Sequence, residues 1–246
     1  LVAGYETRVE QIVKRLTIAQ DPLILDRLAK EFLSERPAEL LAEMIAYLAP
    51  RMSNERMRLV YQGVIRLAMS GDELPQRVRE DVYNVLAARD EAHWVRFLLP
   101  LQAVRAGGRS TEMPDTQLDE MPLGMRKWKA RLQDRSMLLR LGKQDDPAVM
   151  AILLDNPKLL ELDVVTWAAR RPARPEVLLV IASHRKWGVR RAVQEAIVRN
   201  PYTPVHVATA FLPLFDLQLL RKVATEASVH ELLRETATRV MEARRP

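Results

Sequence analysis

Cysteine is absent from all 246 residues. That removes disulfides, thiolate metal sites and a cysteine nucleophile, and it fits a reducing compartment. Glycine is scarce at 8 residues. There is no Gly-rich phosphate loop ending in Lys-Ser/Thr, no GxGxxG and no GxSxG. The four histidines, His93, His184, His206 and His230, stand apart with no HExxH-type spacing, so a zinc site would need an unusual carboxylate set. No metal, cofactor or catalytic residue is expected, and the chain reads as a non-enzyme. Long apolar runs are also missing. Val205 to Phe215 is too short to cross a bilayer and is broken by Pro213. The start, LVAGYETRVEQ, has no basic segment leading into an apolar one. No membrane span and no secretory signal are expected, and the cytoplasm is the expected compartment.

What is there is helix-forming. Leu, Ala, Arg and Glu dominate, 48% of residues are hydrophobic and only 5% are aromatic. Leu25, Leu28, Ala29, Phe32 and Leu33 make a one-face stripe, as do Leu40, Leu41, Met44, Ile45 and Leu48 behind Pro37. Asn54 reads as the cap of a helix carrying Met57, Val60, Tyr61, Val64, Ile65 and Ala68, with Gly71 at its end. Strand-like alternation is missing, so the fold class is all-α. Residues 105–122, RAGGRSTEMPDTQLDEMP, break the rhythm and read as a linker or long loop, mobile around 107–121. The expected organisation is a helical N-terminal domain over 1–104, the linker over 105–122 and a repeat domain over 123–246.

The repeat announces itself in two Asn-Pro steps, Asn156-Pro157 and Asn200-Pro201, which stand 44 residues apart in AILLDNPKLLELDVV and EAIVRNPYTPVHVA. Proline forces the residue before it out of the helical region, so each step ends a helix. Asp146 before Pro147 is a cap and first-turn pair, and Pro175 and Pro204 open further helices. A spacing of about 40–47 residues is that of stacked helix repeats such as HEAT or armadillo units, and short helices gain stability by burying one another. The expectation is a right-handed α–α superhelix. On ILLDNP, VRRAVQEAIVRNP and the interspersed prolines, the C-terminal half resembles the HEAT-like family of bacterial α-solenoids, which includes leucine-rich-repeat-variant proteins and DNA-alkylation-repair glycosylases. That resemblance implies a stacked helical fold and binding along its surface rather than a reaction.

Charge is uneven. Residues 1–104 carry 14 Lys/Arg against 15 Asp/Glu, whereas 126–199 carry 16 against 8. One cluster is Arg126, Lys127, Lys129, Arg131 and Arg135. The second is His184, Arg185, Lys186, Arg190 and Arg191, with Trp187 among the cations offering stacking or cation–π contact. Together they are the expected binding patch, facing phosphates or an acidic protein surface. Trp94 and Trp167 lie on apolar stripes and read as core. Trp128 reads as core between water-facing lysines, and Tyr202 as an accessible loop residue. Asp145-Asp146 and Asp119-Glu120 read as a cap and a solvated loop. Two functions follow. One is a non-catalytic scaffold or adaptor holding an acidic partner protein on its repeat surface. The other is a nucleic-acid-binding solenoid related to repair glycosylases, for which Trp187, Trp167 and Asp163 are the nominees. A helix starting near Trp187 would place Arg190 and Arg191 against its positive end, calling for an anion from a partner or from Asp163 or Glu195.

Overall fold

The computed structural model describes residues 9–16, 27, 37–70, 74–101, 103–105 and 115–244. The stripe expected at Leu23–Leu33, the Gly71 helix end and most of the 107–121 loop lie outside these residues. Among the described residues every regular element is helical. The helices are α1 over 9–16, α2 Ala38–Leu48, α3 Glu55–Ser70, α4 Gln76–Ala87, α5 Thr116–Asp119, α6 Leu123–Lys129, α7 Arg135–Gly142, α8 Pro147–Leu154, α9 Glu161–Ala169, α10 Pro175–Ser183, α11 Arg191–Val198, α12 Val205–Phe211, α13 Leu217–Thr225 and α14 Glu231–Glu242. None is long and apolar enough to cross a membrane.

Local chemistry sets the boundaries. Asn54 Oδ1 accepts from the N–H groups of Arg56 and Met57 at 3.0 and 3.3 Å. Asp146 Oδ1 accepts from Ala148 and Val149 at 2.9 and 3.2 Å, with Pro147 in the first turn. Asp115, Asp134 and Asp216 cap α5, α7 and α13 in the same way, each supplying an acceptor to an orphan N–H at the positive end of a helix. Two elements differ from expectation. The helix expected over Val205–Phe215 stops at Phe211 and tightens into a 3-10 turn, Leu212–Leu214, where Pro213 has no N–H to give. The short helix that the apolar stripe of Trp94, Val95, Leu98 and Leu99 leads one to expect is instead a pair of 3-10 turns, Ala92–Trp94 and Arg96–Leu98.

The chain divides into two compact units, and not at the expected linker. Unit 1 joins the described residues up to Leu101 with 205–227 and 231–244. The stretch 205–246, expected in the repeat domain, therefore belongs mostly with the N-terminal helices. The reason is burial: Tyr61 and Ile65 of α3, Phe97, Phe211, Phe215, Leu220, Leu233 and Val240 are all withdrawn from water. Their apolar surface is worth about 1.5–3 kcal/mol per large side chain. Tyr61 Oη donates to the Ala210 carbonyl at 3.3 Å, and burial pushes its phenol well above the ordinary range. Arg96 donates to Thr236 Oγ1 at 2.8 Å and Glu235 at 2.7 Å. His206 Nδ1 donates to the Leu101 carbonyl at 2.9 Å. Arg244 donates to the carbonyls of Phe215 at 2.7 Å and Pro213.

Unit 2 covers the described residues from 103 to 204 together with Ser228–His230, and contains α5 to α11. Helices alternate between two layers: α8 lies against α6 and α10, and α9 against α11. Part of the expected linker is fixed here. Leu118 of α5 is fully buried, the Asp115 carboxylate takes Arg140 Nε and Nη2 at 2.8 and 2.9 Å, and Gln144 donates to Asp119 at 3.3 Å. One leucine and a two-bond carboxylate–guanidinium pair anchor a stretch whose composition reads as loop.

Candidate interaction surface

The loops of unit 2 are tied to one another in two sets, one at each end of its helices. At the first edge, Asn156 Nδ2 donates to the carbonyls of Ala130 and Leu132 at 2.9 and 2.8 Å. Trp187 Nε1 donates to the Leu154 carbonyl at 2.7 Å, and Arg135 reaches Lys158 and Asp163. Loops 130–134, 155–160 and 184–190 are thus neighbours. At the second edge, Asn200 Nδ2 donates to the carbonyls of Ala168 and Arg170 at 2.8 and 2.9 Å. Arg170 Nη1 donates to the Lys143 carbonyl at 2.5 Å, the Arg174 N–H to Asp145 Oδ2 at 3.0 Å, and Arg171 to the Arg199 carbonyl at 2.6 Å.

The Asn-Pro pair therefore does one job twice. Each Asn ends a helix, accepts the N–H two residues on (Lys158 at 3.0 Å, Tyr202 at 3.1 Å) and donates to two carbonyls of the preceding loop on its own edge. Buried carbonyls at helix ends need such donors. The 44-residue spacing spans three helices, α9, α10 and α11. An odd number of helices between them puts the two Asn-Pro turns at opposite edges rather than on successive rungs of one.

The two basic clusters meet in part. Arg131 and Arg135 share the first edge with Arg185, Lys186, Arg190 and Arg191, and Lys158 joins them there. Arg126 does not: it turns toward the second edge, to Gln144 at 3.2 Å and Asp146 at 3.4 Å. Arg135 grips both oxygens of Asp163 at 2.9 Å, while Asp163 Oδ2 also accepts the Leu160 N–H at 2.9 Å. Arg190 Nε stands 3.9 Å from Glu161, and Arg199 stands 3.7 Å from Glu195. The internal anions expected for the 184–191 turn, Asp163 and Glu195, are thus engaged with Arg135 and Arg199. By contrast, Lys127, Lys129, Arg131, Lys158, Arg185 and Lys186 pair with no carboxylate among the described residues. The C-terminal ends of α6, α8 and α10 and the N-terminal ends of α7, α9 and α11 meet at this edge, so the helix dipoles largely cancel there and leave the charge of these cations standing.

Trp187 is the main correction at the patch. It is 3% exposed, with its indole N–H spent on Leu154 and Lys186 Nζ standing 4.0 Å from the ring centroid. It cannot stack on a ligand. The following Gly188 is no approach to the backbone either, because a Cβ there would fall 2.1 Å from the Ala182 carbonyl oxygen. Glycine is what lets the chain turn against the end of α10. α11 begins at Arg191 with Arg190 as its N-cap. His184, held below the ordinary imidazole range by burial, donates from Nε2 to Asp155 at 3.2 Å and accepts the Lys186 N–H on Nδ1 at 3.3 Å. Its ring organises the loop instead of adding charge.

Trp94 and Trp167 are core, and Gly142 is the floor under the Trp167 ring, 2.1 Å from where a Cβ would stand. Trp128 is not core: it is 53% exposed, beside Met125 at 47% and Leu132 at 37%. Leu160 and Leu162 at the first edge also face water, Leu162 at 73%. These exposed apolar residues escaped sequence reasoning because helical spacing reports a stripe and not what covers it. Lys158 escaped because it stands alone, and only the Asn156 turn brings it to the cations. Asp145 reads with Asp146 as a helix cap in the sequence, but the cap is Asp146 alone. Asp145 is buried at φ 58° with its carboxyl raised by burial. Among the described residues, no group of three or more His, Asp or Glu could hold a metal ion. No protein-family model, curated protein or solved structure matches the chain.

Proposed function

We propose that the chain is a non-catalytic binding module, a short HEAT-like stack of cytoplasmic helices that holds an acidic partner protein along the first edge of unit 2. The observation that carries this reading is the convergence of Arg131, Lys158, Arg185 and Lys186, none with a carboxylate partner among the described residues, beside the exposed Leu160 and Leu162. Cations without internal partners raise the local potential and speed encounter with an anionic surface. Exposed leucines among them supply the apolar contact that a protein interface needs at its centre. The nucleic-acid alternative has less support, since Trp187 and Trp167 are buried and Asp163 is taken by Arg135. Stacking platforms for bases require accessible rings.

The test is affinity capture with the intact chain, with and without nuclease, against the triple variant Lys158→Glu/Arg185→Glu/Lys186→Glu. The expected outcome is a set of acidic proteins that survives nuclease and is lost with the variant. The melting temperature should stay nearly unchanged, because exposed charges contribute about 0–1 kcal/mol each. Capture that disappears with nuclease assigns the edge to nucleic acid, and capture that ignores the variant puts the interface elsewhere.

A further inference from the structure

The first edge of unit 2 sets out its cations one loop at a time. Arg131 stands in loop 130–134, Lys158 in loop 155–160, and Arg185 and Lys186 in loop 184–190, all exposed. None pairs with a carboxylate among the described residues. The middle loop is bonded to each of the others, Asn156 to the carbonyls of Ala130 and Leu132, and Asp155 to His184. The loops succeed one another as their helices do, so they recur at the spacing of packed helices, about 8–10 Å. The acids of this edge are engaged. Asp134 accepts the Met137 N–H as the cap of α7, Asp155 takes His184, Asp163 takes Arg135, and Glu161 stands 3.9 Å from Arg190. Three loops thus present a row of cations whose counter-ions the described residues do not supply.

We propose that this row binds an extended acidic segment of another protein, with a carboxylate at every third residue. It rests on the reading of the first edge as a protein-binding surface and names the ligand's form. The repeat distance selects that form. A chain in the polyproline II conformation advances about 3.1 Å per residue with three residues per turn. Residues i, i+3 and i+6 then share one face at intervals of about 9 Å, one carboxylate to each loop. About seven residues span the row, whereas an α-helix, at about 1.5 Å per residue, needs about fifteen to set three carboxylates at that spacing. Acidic segments also extend themselves by self-repulsion. Leu160 and Leu162, exposed beside Lys158, offer an apolar contact to the residues between the acids. No three acids of this chain recur at every third residue, so neither its own segments nor a second copy supplies the ligand. Each exposed ion pair is weak by itself, and the match of the two periods is what lets three form at once.

The probe is a fluorescein-labelled peptide of three Glu-Pro-Leu triplets, in which proline favours the extended form. Its control has the same composition with the three Glu residues in one block. With the intact chain at about 0.15 M salt, fluorescence anisotropy should show the triplet peptide binding at least about fivefold more tightly, because the block reaches one loop where the triplets reach three. Lys158→Glu, in the middle of the row, should weaken the triplet peptide at least about tenfold and remove its preference over the block. Thermal unfolding should not change, and Lys158→Arg should keep both affinity and preference. The proposal fails if the two peptides bind alike, if Lys158→Glu leaves the affinity unchanged, or if a helical peptide with Glu at every seventh position binds more tightly. It also fails if single-stranded oligothymidine binds more tightly than the triplet peptide and is lost with the same variant, which assigns the row to nucleic acid. Capture of acidic proteins that depends on Lys158, Arg185 and Lys186 while the two peptides bind alike overturns the extended segment only. Loss of both results overturns the first edge as a binding surface.

Discussion

At the second edge of unit 2, Arg126 reaches Asp146, Arg174 stands 3.6 Å from Glu176, and Arg171 donates to the Arg199 carbonyl. At the first edge, Lys129, Arg131, Lys158, Arg185 and Lys186 find no carboxylate among the described residues, and Leu132, Leu160 and Leu162 are exposed there. Both edges are held by the same device, a buried Asn after a helix. They differ in what surrounds it. Cations spent on carbonyls and carboxylates stiffen a loop, whereas cations left over create a field that acts on other molecules. Counting Lys and Arg along the chain cannot separate these uses, because several of the partners come from residues 18 to 28 positions away, brought alongside by the packing of successive helices.

The largest expected effect lies at the first edge. Trp187→Ala removes a buried ring and its hydrogen bond to Leu154, and should cost about 3–5 kcal/mol. Thermal unfolding of the intact chain measures it. A small change would mean that the ring is a surface element after all, returning Trp187 to the binding patch. Next, Asn156→Ala and Asn200→Ala each orphan two carbonyls in a buried setting and should each cost about 1–3 kcal/mol. Chemical denaturation of both variants tests the equivalence of the two edges. If one is neutral while the other is costly, the two Asn-Pro turns are alike in text only.

The smallest effect belongs to the second edge and depends on pH. Burial raises the Asp145 carboxyl above its ordinary 3.8, despite the Arg174 N–H bond and the nearby guanidinium groups of Arg170 and Arg174. The fold therefore favours the protonated form. Its contribution is complete below the unfolded value and is lost as pH rises through the raised one. Asn at this position keeps an acceptor for the Arg174 N–H and tolerates the positive φ. Asp145→Asn should melt slightly higher than wild type near pH 7, with the difference vanishing near about pH 3. A lower melting temperature at neutral pH would show that Arg170 and Arg174 hold Asp145 as an ion.

Much of this molecule is readable without coordinates. The stripe Leu40, Leu41, Met44, Ile45 and Leu48 is buried as its spacing requires, Asn54 and Asp146 cap the helices they precede, and Asn156 and Asn200 stop theirs. These are local matters, decided by helical period, by the missing N–H of proline and by side chains that reach a backbone group two or three residues on. The all-helical character follows from them. The chain by itself did not determine which helices share a core, so 205–246 was assigned with the repeat, while Tyr61, Phe97 and Phe211 bury it mostly in unit 1. Nor did it determine which of two similar tryptophans is accessible. Trp187 stands among cations and is buried; Trp128 stands among cations and is open. Apolar periodicity states that a side chain has a face to hide. Only the arrival of another helix, set by contacts distant in sequence, decides whether that face is hidden or left for a partner.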